Sequence, residues 1–355
     1  MWCNLYILLY GLRAWPPGLI EVSASSRAAR GGKVIASGWR VIPLHVALVL
    51  LTTTPTFGIA EASAQTMAQP QGPATFRSGV EVVTVAAAVR DSRGRVVRTL
   101  AKADFQVFDD GALTPIQDFY AGNSQVSLAL LLDISGSMGV GGNMDRARAA
   151  VGSVLAGMTS RGDEAALYTF DSKLVEVVAF TTELDRIRSV DLAGRPWGTT
   201  SLYDAIAETA KTVSDRANRH RAVLVITDGV DTASQMKPSE VSGIASSIDV
   251  PVYLLTVVNP LDHPGGEFSV LRAAGEASNI ATLVDLARWT GGDMRVCSMP
   301  EHTEAAVRDL FAELRYQYLI TFEPGRRAGW HPLEIRTPNK NLVVHARGGY
   351  VAAAP

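Results

Sequence analysis

Three long apolar segments constrain the fold of this chain more than any other feature of its sequence. Residues 126–134 read VSLALLLDI, residues 222–228 read AVLVITD, and residues 250–258 read VPVYLLTVV. A strand that is apolar at nearly every position is buried on both faces, and such strands belong to parallel sheets covered by helices on both sides. The sequence therefore predicts an α/β domain.

Segments with a helical spacing of apolar residues alternate with these strands. Residues 144–158 place Ala147, Val151, Val154 and Leu155 on one face of a helix. Alternation of strands and helices is typical of βαβ units, so we expect a doubly wound, mostly parallel sheet across residues 126–315. The other predicted elements are helices at 201–215, 238–248, 280–290 and 301–314, and a strand at 164–170 with an antiparallel neighbour at 174–179.

The segments that flank this domain are rich in strand and turn patterns. Residues 80–125 and 316–351 show little of the three-to-four-residue spacing of apolar residues that is typical of helices. Two or three isolated strands are marginally stable in water, so we expect the two segments to pair into one small β-rich module. The alternative is a loose N-terminal arm, with the C-terminal strands extending the central sheet. The apolar residues expected to meet in the module are Val80, Val82, Val85, Phe105, Val107 and Phe119 from the first segment, and Tyr318, Ile320, Phe322, Leu333, Ile335 and Val343 from the second.

Residues 1–64 have the pattern of a targeting segment. An apolar run at 41–51 follows Lys33 and Arg40, and Ala62-Ser63-Ala64 provides a cleavage site after Ala64. We expect a secretory signal, an exported (periplasmic or extracellular) product that is soluble after cleavage, and a linker at 65–79; an uncleaved membrane anchor, with envelope association, is the alternative. A second apolar patch precedes the charged stretch, and a start near Val34 would explain it by leaving residues 1–40 out of the product.

The composition argues against a nucleic-acid-binding protein and against a disulfide-stabilised one. Lys and Arg number 33 against 35 Asp and Glu, and a net charge of −2 argues against a nucleic-acid partner. The chain has two cysteines, Cys3 and Cys297, and cleavage after Ala64 would leave one, so we expect no intrachain disulfide.

Polar residues follow two of the apolar strands at the point where each strand ends. Asp133, Ser135 and Ser137 follow the first strand, and Asp228 ends the second. Because ligands of open α/β sheets bind beyond the carboxyl ends of the strands, we expect these side chains to meet at one edge. Carboxylate and hydroxyl oxygens are hard ligands, which suit Mg²⁺ best, with Mn²⁺ or Ca²⁺ as alternatives, and do not suit zinc or copper.

Three motifs together resemble the metal-ion-dependent adhesion site of von Willebrand factor type A domains. They are Asp133-x-Ser135-x-Ser137, then GTTSLYD at residues 198–204, then ITDG at residues 226–229. The resemblance implies a divalent cation held by Asp133, Ser135, Ser137, Thr200 and Asp228; Thr199 is the alternative to Thr200.

The segments that flank this domain resemble a more specific group within the family. LAKADFQVFDDG at residues 100–111 and ARGGY at residues 346–350 are similar to a bacterial group of von Willebrand factor A-related proteins that is frequent in Acidobacteria. With them the resemblance covers residues 80–351. The glycine-rich loop at residues 139–142 departs from the family pattern.

The resemblance implies a protein-binding or adhesion module and not an enzyme. The cation would keep one coordination position for an Asp or Glu of a partner protein. A scaffold of the cell envelope with a permanent structural metal is the alternative. A hydrolase is least favoured, because Ser135 lacks the G-x-S-x-G context of a nucleophile elbow.

We assign ordinary roles to the remaining polar and aromatic candidates. Asp204 is expected to cap or support the site, and Trp197 to pack in its loop or to line a rim for the partner. We interpret Asp163 and Asp171 as turn residues, the six histidines as surface or loop residues, and Cys297 as a buried apolar residue.

Overall fold

The computed structural model describes residues 82–261 and 277–352, and the side chains of the second range from residue 282 onward. Both ranges lie within one unit, Thr75–Pro355. The predicted signal at 1–64, the linker at 65–79 and the alternative start near Val34 lie outside the described residues. No helix in the described ranges has the length and apolarity that crossing a membrane would require.

The central sheet has six strands in the order β10-β9-β8-β5-β6-β7. Five of them run parallel, and β7 joins the edge in the antiparallel direction. Every residue of β5 is buried, as its continuous apolar sequence predicted. The strands are β5 (Val126–Asp133), β6 (Glu164–Phe170), β7 (Leu174–Thr181), β8 (His220–Thr227), β9 (Val252–Val257) and β10 (Met294–Cys297).

Helices cover both faces of this sheet. Leu128, Leu130 and Leu132 of β5 face a core shared with α1 and α6, while Ala129 and Leu131 face a core shared with α3, α4 and α5. The doubly wound α/β prediction is confirmed. The helices are α1 (Asn143–Gly157), α2 (Asp185–Arg188), α3 (Leu202–Ser214), α4 (Pro238–Ser247), α5 (Ala277–Trp289) and α6 (Pro300–Leu314).

The flanking segments form a β-rich module of two antiparallel sheets with one shared core. Val85 of the N-terminal segment lies opposite Ile320, and Val107 lies opposite Ile335. The two segments therefore pair with each other, as expected, and the N-terminal segment is not a loose arm. The sheets are ordered β13-β1-β11-β4 and β14-β12-β2-β3, from β1 (Val83–Arg90), β2 (Gln106–Asp109), β3 (Ala112–Thr114), β4 (Ile116–Ala121), β11 (Tyr318–Phe322), β12 (Gly329–Arg336), β13 (Val343–Ala346) and β14 (Gly349–Ala352).

Val80 lies outside the described residues, and two of the described residues expected in this core face solvent instead. Val82 is 48% exposed and Val343 is 54% exposed. Val82 precedes the first residue of β1, and Val343 begins β13, which is an edge strand of its sheet. Neither position has a neighbouring strand on both sides, and alternation alone could not distinguish an edge from a centre.

The interpretation of the histidines as surface residues was wrong for two of them. His220 and His331 are fully buried. His220 starts β8 opposite Val126. The Nδ1 atom of His331 lies 2.8 Å from the Oδ1 atom of Asp109, and its Nε2 atom faces the carbonyl oxygen of Arg327, so polar partners inside the module compensate for its burial.

Asp163 is also more than the turn residue that the sequence predicted. Its carboxylate is buried and accepts a hydrogen bond from the guanidinium of Arg315, which follows α6, at 2.6 Å. A second buried acid, Glu313 of α6, accepts hydrogen bonds from the guanidinium of Arg90 in β1 and from the hydroxyl of Tyr253. These pairs attach the C-terminal end of α6 to both the central sheet and the β-rich module.

Candidate metal centre

Two loops meet at the carboxyl edge of the central sheet, one after β5 and one before α3. The backbone N–H of Gly136 donates to the carbonyl of Gly198 at 3.0 Å, and that of Trp197 donates to the carbonyl of Ile134 at 3.0 Å. Gly198 has φ of 94°, in the left-handed region that favours glycine, and a Cβ atom there would lie 3.3 Å from the carboxylate of Asp171. This glycine lets its loop pass close to Asp171 in the turn between β6 and β7, and a Cβ atom on Gly136 would lie 3.3 Å from the carbonyl oxygen of Gly198, so both glycines suit the close packing here.

Asp133 stands at the end of β5 and is completely buried. Its Oδ1 atom accepts the backbone N–H of Ser135 at 2.9 Å, and its Oδ2 atom accepts the hydroxyl of Thr227 at 2.6 Å. Burial raises the pKa of Asp133 to about 6, with a smaller contribution from the negative charge of Asp228 and against the hydrogen bonds from Thr227 and Ser135, which lower it. The carboxylate is thus fixed in position, and no positively charged side chain is among the groups that act on it.

The two serines of the first motif present their hydroxyls together. The Oγ atoms of Ser135 and Ser137 lie 3.2 Å apart. Ser135 is buried with an extended backbone, and a short 3₁₀ turn, Gly136–Gly139, follows it. Ser137 is half-buried, so the pair extends from the interior toward the surface of the edge.

Thr200 is held by the loop that follows β8. Its side chain is buried, whereas Thr199 is exposed, and this supports Thr200 as the candidate ligand. The backbone N–H of Thr200 donates to the hydroxyl of Thr232 at 2.9 Å. The carbonyl of Thr200 accepts the backbone N–H groups of Thr232 at 3.0 Å and Ala233 at 2.9 Å. The loop after β8 therefore holds both the backbone N–H and the carbonyl of Thr200.

The same loop caps the start of α3, a role that the sequence analysis missed. The N–H of Leu202 donates to the carboxylate of Asp231 at 2.9 Å, and the N–H of Tyr203 donates to the hydroxyl of Ser234 at 2.9 Å. The hydroxyl of Ser234 in turn donates to Asp231 at 2.6 Å. The polar run of residues 228–234 after an apolar strand was the available signal for this capping.

Asp204 and Asp228 differ in role. The carboxylate of Asp204 accepts the N–H groups of Gln235 at 3.0 Å and Met236 at 2.9 Å, which is the supporting role expected for it. Asp228 is half-buried at the end of β8, and its Oδ1 atom faces the N–H of Val230 at 3.4 Å. Its charge acts on Asp133, so the carboxylates of the two strand ends belong to one electrostatic site.

The donor set of this site fits a hard divalent cation. Two carboxylates and three hydroxyls supply oxygen atoms only, which is the chemistry that Mg²⁺, Mn²⁺ and Ca²⁺ prefer. A cation would also offset the cost of burying Asp133 close to a second negative charge. Within residues 82–261 and 277–352, no group of three or more His, Cys, Asp or Glu side chains is placed to hold a metal. The candidate site has two carboxylates, and its other oxygens are those of hydroxyl groups.

Comparison with known proteins gives one family match within the chain. The model of the von Willebrand factor type A domain matches residues 128–230. That range contains all five candidate ligands, namely Asp133, Ser135, Ser137, Thr200 and Asp228. No curated protein sequence matches the chain.

Many solved structures are similar in fold. An aerotolerance-related membrane protein from Bacteroides fragilis is 19% identical, with a TM-score of 0.42 over 53% of this chain and 98% of that one. BatB from Bacteroides thetaiotaomicron is 17% identical, with a TM-score of 0.41 over 52% of this chain and 96% of that one. A von Willebrand factor type A protein from Catenulispora acidiphila is 13% identical, with a TM-score of 0.41 over 79% of this chain and 75% of that one. We transfer no function from similarities of this size.

Proposed function

This chain contains a von Willebrand factor type A domain, and we propose that the domain binds a divalent cation and, through it, an acidic residue of a partner protein. The cation, Mg²⁺ in the first instance, would be held by the side-chain oxygens of Asp133, Ser135, Ser137, Thr200 and Asp228. When bound, it supplies a positive charge at the carboxyl edge of the sheet.

The observation that carries this proposal is the position of Asp133. A carboxylate that is buried beside a pair of serine hydroxyls and within the field of Asp228 is costly unless a positive charge compensates for it. Serine and threonine hydroxyls are neutral ligands, so a divalent cation in this site keeps charge with which to attract a carboxylate from outside. The N-terminus of α1 begins nearby, at Asn143, and its dipole adds to that attraction.

We propose a binding role and not a catalytic one. The hydroxyl of Ser135 is hydrogen-bonded to Ser137, and no histidine of the described residues is hydrogen-bonded to it. A serine nucleophile needs a general base beside it, most often a histidine.

We also propose that the protein is exported. The support is the sequence of residues 33–64, with its positive flank, its apolar run at 41–51 and its A-x-A cleavage site. A mature N-terminus that begins at residue 65 in secreted or periplasmic material would agree with this proposal, and a full-length chain in the cytoplasm would contradict it.

Thermal unfolding with and without Mg²⁺ tests the metal site. A ligand that binds the native state alone raises its stability by mass action, by about 2.7 kcal/mol at a hundredfold excess over Kd. We expect wild type to gain stability in Mg²⁺, and Asp133→Ala and Asp228→Ala to lose most of that gain. The matched control is Asp145→Ala, which removes an exposed carboxylate of α1.

Equal stabilisation of all four proteins by Mg²⁺ would refute the ligand assignment. The same samples address the scaffold alternative, in which the metal is a permanent structural element. Under that alternative, chelation would unfold the chain. Under a binding role, chelation lowers the unfolding temperature but leaves a folded protein at ambient temperature.

A further inference from the structure

We propose that Val140, Trp197 and Leu261 form an apolar crescent beside the candidate metal centre, and that this crescent binds the apolar residues next to the partner's acidic residue. This inference rests on the proposed function and adds the chemical class of the partner: a peptide segment in which Asp or Glu is flanked by aliphatic or aromatic side chains.

The exposure of these three side chains is the first observation. Leu261 is 89% exposed, Trp197 is 79% exposed and Val140 is 68% exposed, which makes them the three most exposed large hydrophobic residues that the structure describes. All three lie on loops at the carboxyl edge of the central sheet, after β9, before α3 and after β5 respectively. Exposed apolar residues that collect in one place mark interaction sites, whereas scattered ones need no explanation.

Contacts between the loops make the crescent continuous. A Cβ atom on Gly139 would lie 3.7 Å from the side chain of Pro196, so the two loops that carry Val140 and Trp197 are in contact one residue before each of them. On the other side, a Cβ atom on Gly141 would lie 2.9 Å from the side-chain nitrogen of Asn259.

Backbone hydrogen bonds hold the two ends of the crescent. The side chain of Asn259 accepts the N–H of Leu261 at 2.9 Å. The N–H of Trp197 donates to Ile134, the residue between the first two candidate ligands. Trp197 is therefore displayed from a backbone that is tied to the metal centre, and Leu261 from a turn that Asn259 closes, which limits the entropy lost when a partner binds.

Positive charge beside the crescent complements an acidic partner. The guanidinium of Arg146 donates to the carbonyl of Gly141 at 2.6 Å and to the side-chain oxygen of Asn143 at 2.8 Å, and both acceptors are neutral. Arg195 is exposed two residues before Trp197. Neither arginine forms a salt bridge with a carboxylate of the described residues. Complementary charge favours association with an acidic segment, and an aromatic anchor such as tryptophan supplies much of the affinity at protein interfaces.

An array of immobilised pentapeptides tests this inference. Each peptide has a central aspartate, and the two flanking residues cover all combinations of apolar and small polar side chains. The full chain is applied in Mn²⁺ and again in chelator. We expect apolar flanks to increase retention at least tenfold over Gly or Ser flanks. In the double variant Val140→Ser/Trp197→Ser the preference should fall to twofold or less, while calorimetric binding of Mn²⁺ stays unchanged.

The control is the double variant Val175→Ser/Val177→Ser, which removes two exposed valines of β7 and should keep the preference. Equal retention of all peptides, or a preference that survives in Val140→Ser/Trp197→Ser, would overturn the crescent while the proposed function still holds. Failure of the proposed function gives a different result: the wild-type chain binds no Mn²⁺, or it binds Mn²⁺ and retains no peptide, or any retention of apolar-flanked peptides is the same in chelator.

Discussion

At the scale of single residues, the candidate site depends on side chains that hold other side chains. Asp133 is placed by Thr227 and by the N–H of Ser135, while Thr200 is placed by the backbone and hydroxyl of Thr232. A ligand held by such bonds needs little reorganisation to bind a cation, and removal of supporting groups of this kind typically weakens metal affinity.

Thr232 gives a test of this support. Thr232→Val removes the hydroxyl that accepts the N–H of Thr200 and keeps the shape of the side chain. One such hydrogen bond contributes about 1 kcal/mol to folding, so we expect the stability without metal to fall by about that amount. We also expect Mg²⁺ affinity to fall about tenfold, because Thr200 is no longer held in position. Thr232→Ser keeps the hydroxyl and should bind as wild type does. Calorimetric titration measures both, and equal affinities for the two variants would show that the hydroxyl does not position Thr200.

Because His220 is buried, we expect the stability of the protein to depend on pH. Burial lowers its pKa from 6.5 to about 4. The unfolded chain therefore binds a proton below about pH 6.5 while the folded chain does not, and the free energy of unfolding decreases as the pH falls through this window. At about 1.4 kcal/mol per pKa unit, the loss from this group approaches roughly 3 kcal/mol near pH 4.

The matched variant for this prediction is His220→Leu, which does not titrate. Urea unfolding at about pH 7 and about pH 5 should show a smaller loss of stability for the variant than for wild type. Identical losses in the two proteins would mean that other groups cause the acid sensitivity.

At the scale of elements, the ligands at the end of one strand could be predicted from the sequence. The contacts between the loop after β8 and the start of α3 could not. Asp133, Ser135 and Ser137 are alternate residues that begin at the last residue of an apolar strand, so their grouping is a local property of the sequence. The caps that Asp231 and Ser234 provide for α3 join residues that are about thirty positions apart. No periodicity encodes such a contact, because it forms only when the strands have been placed side by side.

Burial of charged residues illustrates the same limit in the elements outside the site. Asp163 has the local sequence of a turn. His331 alternates in phase with Leu333 and Ile335, which places it on the buried face of β12, but alternation gives no sign of the polar partner that a buried histidine needs. Each is buried because a partner from another part of the chain, Arg315 or Asp109, reaches it. Sequence patterns report the average environment of a residue type and not the presence of a distant partner.

At the scale of the whole molecule, the N- and C-terminal segments close one module. β1 pairs with both β11 and β13, and β12 pairs with both β2 and β14. The pairing of the flanking segments could be predicted, because neither can bury an apolar face alone. Their division into two sheets could not, because short strands with similar alternation do not specify their neighbours.

Deletion of residues 342–355 tests this closure. The deletion removes β13 and β14, so β1 and β12 each lose one neighbouring strand. We expect residues 80–120 to become sensitive to protease, while residues 126–315, which keep their own two cores, stay resistant. Limited proteolysis with identification of the fragments by mass spectrometry measures this. Continued protection of residues 80–120 would mean that the module does not depend on its C-terminal strands.

The measurement that tests the central claim most directly is calorimetric titration of the chain with Mn²⁺, beside the isosteric variants Asp133→Asn and Asp228→Asn. Each variant removes one negative charge from the proposed ligand set and keeps the size of the side chain. The account predicts saturable binding at one site per chain in wild type, and loss of at least tenfold in affinity in each variant. Wild-type chain that takes up no Mn²⁺, or variants that bind it as tightly as wild type, would contradict the claim that these strand-end carboxylates form a metal centre.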